Sequence, residues 1–168
     1  MRIWFDTEFI EDGKTIELLS IGIVAEDGST FYAENDNADL TRGSDWVQHN
    51  VIAHLNWGEH GMSRQRLRDA VLAFVNAKQG KPEFWAYYAD YDWVALCQLF
   101  GTMMDLPKGW PMYCRDVKQF CDMLGNPILP AQGKGEHHAL ADAKWTKDAW
   151  HFLFAKWEHE HNESPRLG

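Results

Sequence analysis

Met1-Arg-Ile-Trp-Phe-Asp-Thr-Glu-Phe9 opens the chain, and its pattern decides how the rest is read. The run is rich in aromatic and branched apolar residues, so Arg2 to Phe9 reads as a buried strand. Residues two apart on a strand point to the same face. Asp6 and Glu8 then project side by side from a strand flanked by Ile3, Trp4, Phe5 and Phe9. Like charges in a poorly solvated site repel unless something positive lies between them. A divalent metal ion meets that need, which makes the pair candidate metal ligands. Taken alone, such a pair is as often a surface ladder or a feature of a nearby turn.

Working outward, Glu11-Asp12-Gly13-Lys14 has turn chemistry, Ile16 to Ala25 reads as a second strand, Glu26-Asp27-Gly28-Ser29 as a second turn, and Thr30 to Ala33 as a third strand. Three strands joined by Asp-Gly turns predict an antiparallel meander. Ser44 is placed to cap a short helix from Asp45 to Leu55, and Ser63 to cap a clearer one carrying Leu67, Val71, Phe74 and Val75 at helical spacing. A strand over Phe84 to Tyr88, a helix over Tyr91 to Phe100, a short strand at Tyr113 to Arg115 and a helix capped by Asp116 follow. A Gly- and Pro-rich loop runs from Gly125 to Gly135. The last long helix is expected from His138 to about His161, with Trp145, Ala149, Phe152, Leu153, Lys156 and Trp157 as its stripe. This order predicts an α/β fold, a mixed sheet with helices packed on it.

At 168 residues the chain has the length of one domain with a sizeable core, taken here as residues 1–161, with 162–168 as a frayed tail. Nine tryptophans and nine phenylalanines supply much of that core. No apolar run reaches membrane-spanning length; the longest, Leu18 to Ala25, is broken by Ser20 and Gly22. No signal segment precedes the first strand, and Cys97, Cys114 and Cys121 have no C-x-x-C spacing. Reduced thiols in a cytoplasmic protein, without a membrane partner, are the expectation. The net charge of −9 argues against tight non-specific binding to long duplexes. Two divalent cations held by carboxylates would bring that charge to about −5.

Two further segments carry chemistry. In Trp85-Ala-Tyr-Tyr-Ala-Asp-Tyr-Asp-Trp93 a strand gives way to a helix. Asp90 is assigned the helix cap, and Asp92, in the first turn, the functional role. In Gly135-Glu-His-His-Ala-Leu-Ala-Asp142 a histidine stands five residues before an aspartate, and Ala139 and Ala141 are small enough to let the helix lie close to the sheet. By itself this segment reads more readily as a capped amphipathic helix with two exposed histidines than as a functional motif.

Together these three segments resemble the 3′–5′ exonucleases with four acids and a histidine, the DEDDh group that includes oligoribonuclease, RNase T and the proofreading subunit of the bacterial replicase. The likeness spans nearly the whole chain. Phe5-Asp-Thr-Glu-Phe-Ile-Glu-Asp-Gly13, Tyr87-Tyr-Ala-Asp-Tyr-Asp-Trp93, Gly109-Trp-Pro-Met-Tyr-Cys-Arg-Asp116, Gly135-Glu-His and Ala139-Leu-Ala-Asp142 resemble more closely the exoribonuclease AS type described in mycobacteria. The resemblance implies a ribonuclease-H-like fold and release of 5′-mononucleotides from RNA 3′ ends. It implies two Mg²⁺ ions, with Mn²⁺ able to substitute. Asp6 would bridge both ions, Glu8 and Asp142 would serve one and Asp92 the other, and His137 would be the general base. His138, four residues before Asp142, is the rival base by helical geometry. Two positions depart from the group: Tyr88 stands where the proofreading branch often has asparagine, and Phe9 where many relatives have a small hydroxyl residue.

Phe9, Tyr91 and Lys134 are the candidate substrate contacts, the aromatics through base stacking and the lysine through phosphate. Arg64 and Arg68 share a helical face that reads as a solvated basic surface, and Arg115 is expected to pair with Asp116. A homodimer is common among the relatives. A DNA exonuclease with the same site, and a nucleic-acid-binding domain that has lost catalysis, are the two alternative functions.

Overall fold

Three strands joined by tight turns form the centre of the sheet. The computed structural model describes residues 1–133, 135 and 137–162. Strands β1 (Arg2–Glu11), β2 (Ile16–Ala25) and β3 (Thr30–Asn35) pair antiparallel. Gly13 and Gly28 supply the positive φ of their turns, at +82° and +85°. The Asp12 carboxylate accepts from the Lys14 and Thr15 amides, and that of Asp27 from the Ser29 amide.

Strand β4 (Gly61–Met62) runs parallel to β3, while β5 (Glu83–Ala86) and β6 (Arg115–Asp116) add parallel strands beyond β1. The six-stranded order is β4-β3-β2-β1-β5-β6, the mixed sheet expected of the ribonuclease-H-like class. Strand β4 was not foreseen, because two residues carry no alternation. Strand β5 stops at Ala86, short of Tyr88, whose φ of +55° turns the chain away from the sheet.

Helices α1 (Asp45–Asn50), α2 (Trp57–His60), α3 (Arg64–Asn76), α4 (Asp90–Phe100), α5 (Val117–Met123) and α6 (Ala139–Asn162) pack around this sheet. Among the described residues no helix is long and apolar enough to cross a membrane. Alternation along β1 divides the core. Ile3 and Phe5 join Leu67, Val71 and Val75 of α3 and Leu96 and Leu99 of α4 on one side. Trp4 joins Val117 and Cys121 of α5 and Ala149, Trp150 and Leu153 of α6 on the other. Asp6 and Glu8 share the parity of Trp4, the α6 side, and Thr7 shares that of Phe5.

Two helical expectations and one ion pair change. The predicted helix from Asp45 ends at Asn50, and a 3₁₀ turn, Ile52–His54, follows. Adjacent β-branched Val51 and Ile52 both pack against Ile10 and Leu19. A regular helix, turning about 100° per residue, would point them apart. On α6 the buried positions are Ala139, Ala143, Thr146, Ala149, Trp150 and Leu153, while Phe152 and Trp157 are exposed. The stripe is rotated because the closest approach to the sheet is set by small residues at the start of the helix. Arg115 pairs with Glu83 at 3.4 Å instead of with Asp116. The Asp116 carboxylate is engaged by backbone amides: it caps α5 at Lys118 (2.7 Å) and also accepts from Tyr88 and Ala89.

Candidate active site

Two cross-strand rows build the floor of the site. In the first, Asp6 of β1 lies beside Gly22 of β2, and Gly22 beside Tyr32 of β3. In the second, Glu8 lies beside Ser20, and Ser20 beside Glu34. Side chains in register on neighbouring strands share a face. Gly22 therefore leaves a gap between the Asp6 carboxylate and the Tyr32 ring, and the first turn of α6 fills it. A Cβ built on Gly22 would lie 2.3 Å from the backbone of Ala139 and Leu140. The glycine is what lets α6 bring Asp142 to the Asp6 side.

Sequence reasoning missed Gly22 as a site residue, although the signal was present. Ser20 and Gly22, which interrupt the apolar run of β2, are the cross-strand partners of Glu8 and Asp6. Gly22→Ala is expected to push the start of α6 off the sheet. Overpacking of this kind costs about 1–3 kcal/mol, and displacing reacting groups by about 1 Å costs on the order of 10²-fold in rate. Thermal unfolding and turnover of the variant check this; a wild-type turnover number would contradict it.

Asp6, Glu8 and Asp142 each place a carboxylate oxygen within 4.8 Å of the others. Asp142 accepts from the His137 amide at 3.0 Å and from Gln132 Nε2 at 2.5 Å, which fixes its plane. Asp92 is buried in the first turn of α4 and is not part of that three-carboxylate group. Its Oδ1 accepts from both the Thr7 amide (2.8 Å) and the Thr7 hydroxyl (2.6 Å), tying α4 to β1 between the two acids. The assigned cap of α4 is corrected. Ala89 occupies the N-cap without a side-chain bond, and Asp90 is the first helical residue and exposed. Asp116 reaches over from β6 to hold the Tyr88 and Ala89 amides, so the helix borrows its cap from another element.

Crowding raises the carboxyl pKa values. Burial, followed by Asp92, Glu8 and Asp142, holds Asp6 well above the ordinary carboxylate range. Burial, then Asp142 and Asp92, pushes Glu8 up to about 8. Burial raises Asp92 to about 6 although the Thr7 hydrogen bonds pull it down. An all-oxygen set of mutually repelling acids suits a hard divalent cation, so the residues present fit such an ion.

A stability prediction follows from these shifts. A carboxyl whose folded pKa exceeds its unfolded value takes up a proton on folding, so stability falls as pH rises between the two values. For Glu8 that window runs from 4.5 to about 8. In EDTA the melting temperature should drop across this window above pH 5, and Mg²⁺ or Mn²⁺ should restore it at the alkaline end. A melting temperature at pH 8 indifferent to both ions would contradict the reading.

The two adjacent histidines face different surroundings. His137 adopts φ +66° and, with Asp6, Tyr87, Gln132, Asp142 and Trp145, lines a cleft of about 360 Å³. Its ring meets Trp46 edge to face at 4.7 Å. His138 stacks on Tyr32 at 4.4 Å and 21°, and its Nδ1 is buried without a hydrogen-bond partner among the described residues. Of the expected substrate contacts, Phe9 and Tyr91 stack on each other at 5.6 Å and 11°, with Tyr91 exposed. Lys134 lies outside the described residues. Arg64 donates to the Gln98 carbonyl and Arg68 pairs with Asp69, in keeping with a surface role.

Comparison with known proteins bears on the family and the fold. The family model for the 3′-5′ exoribonuclease Rv2179c-like domain matches residues 1–154. The 3′-5′ exoribonuclease Rv2179c of Mycobacterium tuberculosis (strain ATCC 25618 / H37Rv) is 42% identical over 147 residues, covering 86% of this chain and 88% of that protein. The 3′-5′ exoribonuclease MT2234.1 of strain CDC 1551 / Oshkosh matches to the same extent. Among solved structures, the Mg²⁺- and Mn²⁺-bound form of S. pombe Pop2p superposes with a TM-score of 0.58 at 12% identity, covering 97% of this chain and 85% of that one. A full-length 3′-exonuclease superposes with a TM-score of 0.51 at 12% identity, covering 92% and 81%. At that identity the two structures speak to the fold.

Proposed function

The chain belongs to the Rv2179c-like 3′-5′ exoribonuclease family, and from that premise we propose that it removes 5′-mononucleotides from RNA 3′ ends at the Asp6–Glu8–Asp142 cluster. The observation that carries the proposal is the meeting of those three acids within 4.8 Å, beside a cleft lined by His137. Mg²⁺ or Mn²⁺ held by Asp6, Glu8, Asp92 and Asp142 would supply charge neutralisation at the scissile phosphate and at the leaving oxygen.

The chain's own residues do the rest. His137 takes the proton of the attacking water as its oxygen bonds to phosphorus, and the bond from phosphorus to the 3′ oxygen of the shortened chain breaks. Gln132 and the His137 amide hold Asp142 in one orientation. Thr7 holds Asp92 against the strand that carries Asp6 and Glu8. The stacked Phe9–Tyr91 pair offers an aromatic platform for a base, a contact tolerant of sequence. Stacking of this kind suits a protein of net charge −9, which gains little from long-range attraction to phosphates.

Labelled single-stranded RNA and DNA, each incubated with Mg²⁺, Mn²⁺ or EDTA, test the proposal. Mononucleotides should appear from RNA with either ion and not with EDTA. Release from DNA alone would assign a DNA-trimming enzyme, and no release from either would leave a binding domain.

A further inference from the structure

We propose that Trp46 is a positioning residue for His137. The inference rests on the reading of His137 as the general base. Among the described residues the His137 ring has one ring contact, the Trp46 indole, at 4.7 Å between centroids and 83° between planes. The backbone of His137 is tied to Asp142 through its amide, and its φ of +66° is one that residues other than glycine seldom adopt. Backbone restraint leaves the imidazole free to turn about its two side-chain torsions. A base that accepts a proton from one particular water must have those torsions set, and the indole is the group placed to set them.

The platform behind Trp46 is built to be firm. Ser44 caps α1 by accepting from the Val47 amide, and Gln48 Nε2 reaches back to the Leu40 carbonyl at 2.5 Å. Val47, Val51, Ile52 and Leu55 anchor this segment on Ile10 and Leu19, at the far end of β1 and the near end of β2. A separate piece of chain, with its own small core, thus delivers one aromatic ring to the histidine. Trp46 is itself 53% exposed, which core packing does not explain. An edge-to-face pair of this kind favours one ring orientation over its alternatives by about two- to tenfold.

Steady-state kinetics on RNA with Trp46→Ala, Trp46→Phe, His137→Ala and the Trp46→Ala/His137→Ala double variant test the proposal. Trp46→Ala should lower kcat about 3- to 10-fold with KM within about twofold, Trp46→Phe should recover most of it, and the double variant should match His137→Ala. A risen KM with an intact kcat would make Trp46 a substrate-stacking residue and overturn the proposal. A further loss in the double variant, or no rescue by phenylalanine, would overturn it too. Melting temperatures identify any variant that fails to fold; if Trp46→Ala does, Trp46→Phe against Trp46→Leu carries the same comparison. Turnover retained in His137→Ala would instead remove the general-base reading on which the proposal stands.

Discussion

Asp6→Asn is expected to abolish mononucleotide release while leaving the fold in place. Asp6 sits where the three-carboxylate cluster meets Asp92, and all three other acids act on its charge. Asparagine keeps the shape but gives up one anionic ligand, and the remaining acids no longer match a divalent ion in charge or donor set. The same change removes the most crowded anion from the site. In EDTA at pH 8 the variant should therefore melt at or above the wild-type temperature, and Mg²⁺ should raise its melting point less than it raises that of the wild type. Opposite shifts in activity and stability separate loss of a ligand from loss of structure. Turnover retained in Asp6→Asn would undo the reading of the site.

His137→Ala should cost about 10²–10⁴-fold in kcat, the range expected when a general base is removed. His138→Ala should keep most of the turnover, although by spacing alone His138 is the more attractive helical partner of Asp142. The two rings explain the difference. His137 lines the cleft with Asp6 and Asp142, whereas His138 lies flat on Tyr32. The Tyr32 hydroxyl donates to the buried Glu34 at 2.8 Å, and Glu34 also accepts from the Asn56 amide. His138 thereby pins the entry of α6 to β3. Its loss should lower the melting temperature, with the effect on kcat confined to slight loosening of the histidine beside it. Turnover numbers with the two alanine variants reversed would exchange the roles.

The sheet was legible because its signals are local. A run rich in aromatic and branched apolar residues over Arg2 to Phe9, and Asp-Gly turns at positions 12–13 and 27–28, state the meander without long-range information. The parity of Asp6 and Glu8 placed both acids on one face before any contact was known. Convergence was harder to see. Asp142 reaches Asp6 because Gly22, on another strand, has no side chain, and nothing near Asp142 in sequence records that. Tyr88 in a left-handed conformation and the cap lent by Asp116 both misdirect a helix start read from Asp90 alone. Trp46 reads as one more aromatic among nine tryptophans until its helix is folded onto the end of β1.

Crystals grown with Mn²⁺ and a 5′-mononucleotide, with anomalous scattering recorded for manganese, test the central claim most directly. The account predicts manganese within coordinating distance of Asp6, Glu8 and Asp142, a second site shared between Asp6 and Asp92, and the nucleotide phosphate beside His137. Manganese and nucleotide bound away from those residues, with the acid cluster lacking both, would contradict it.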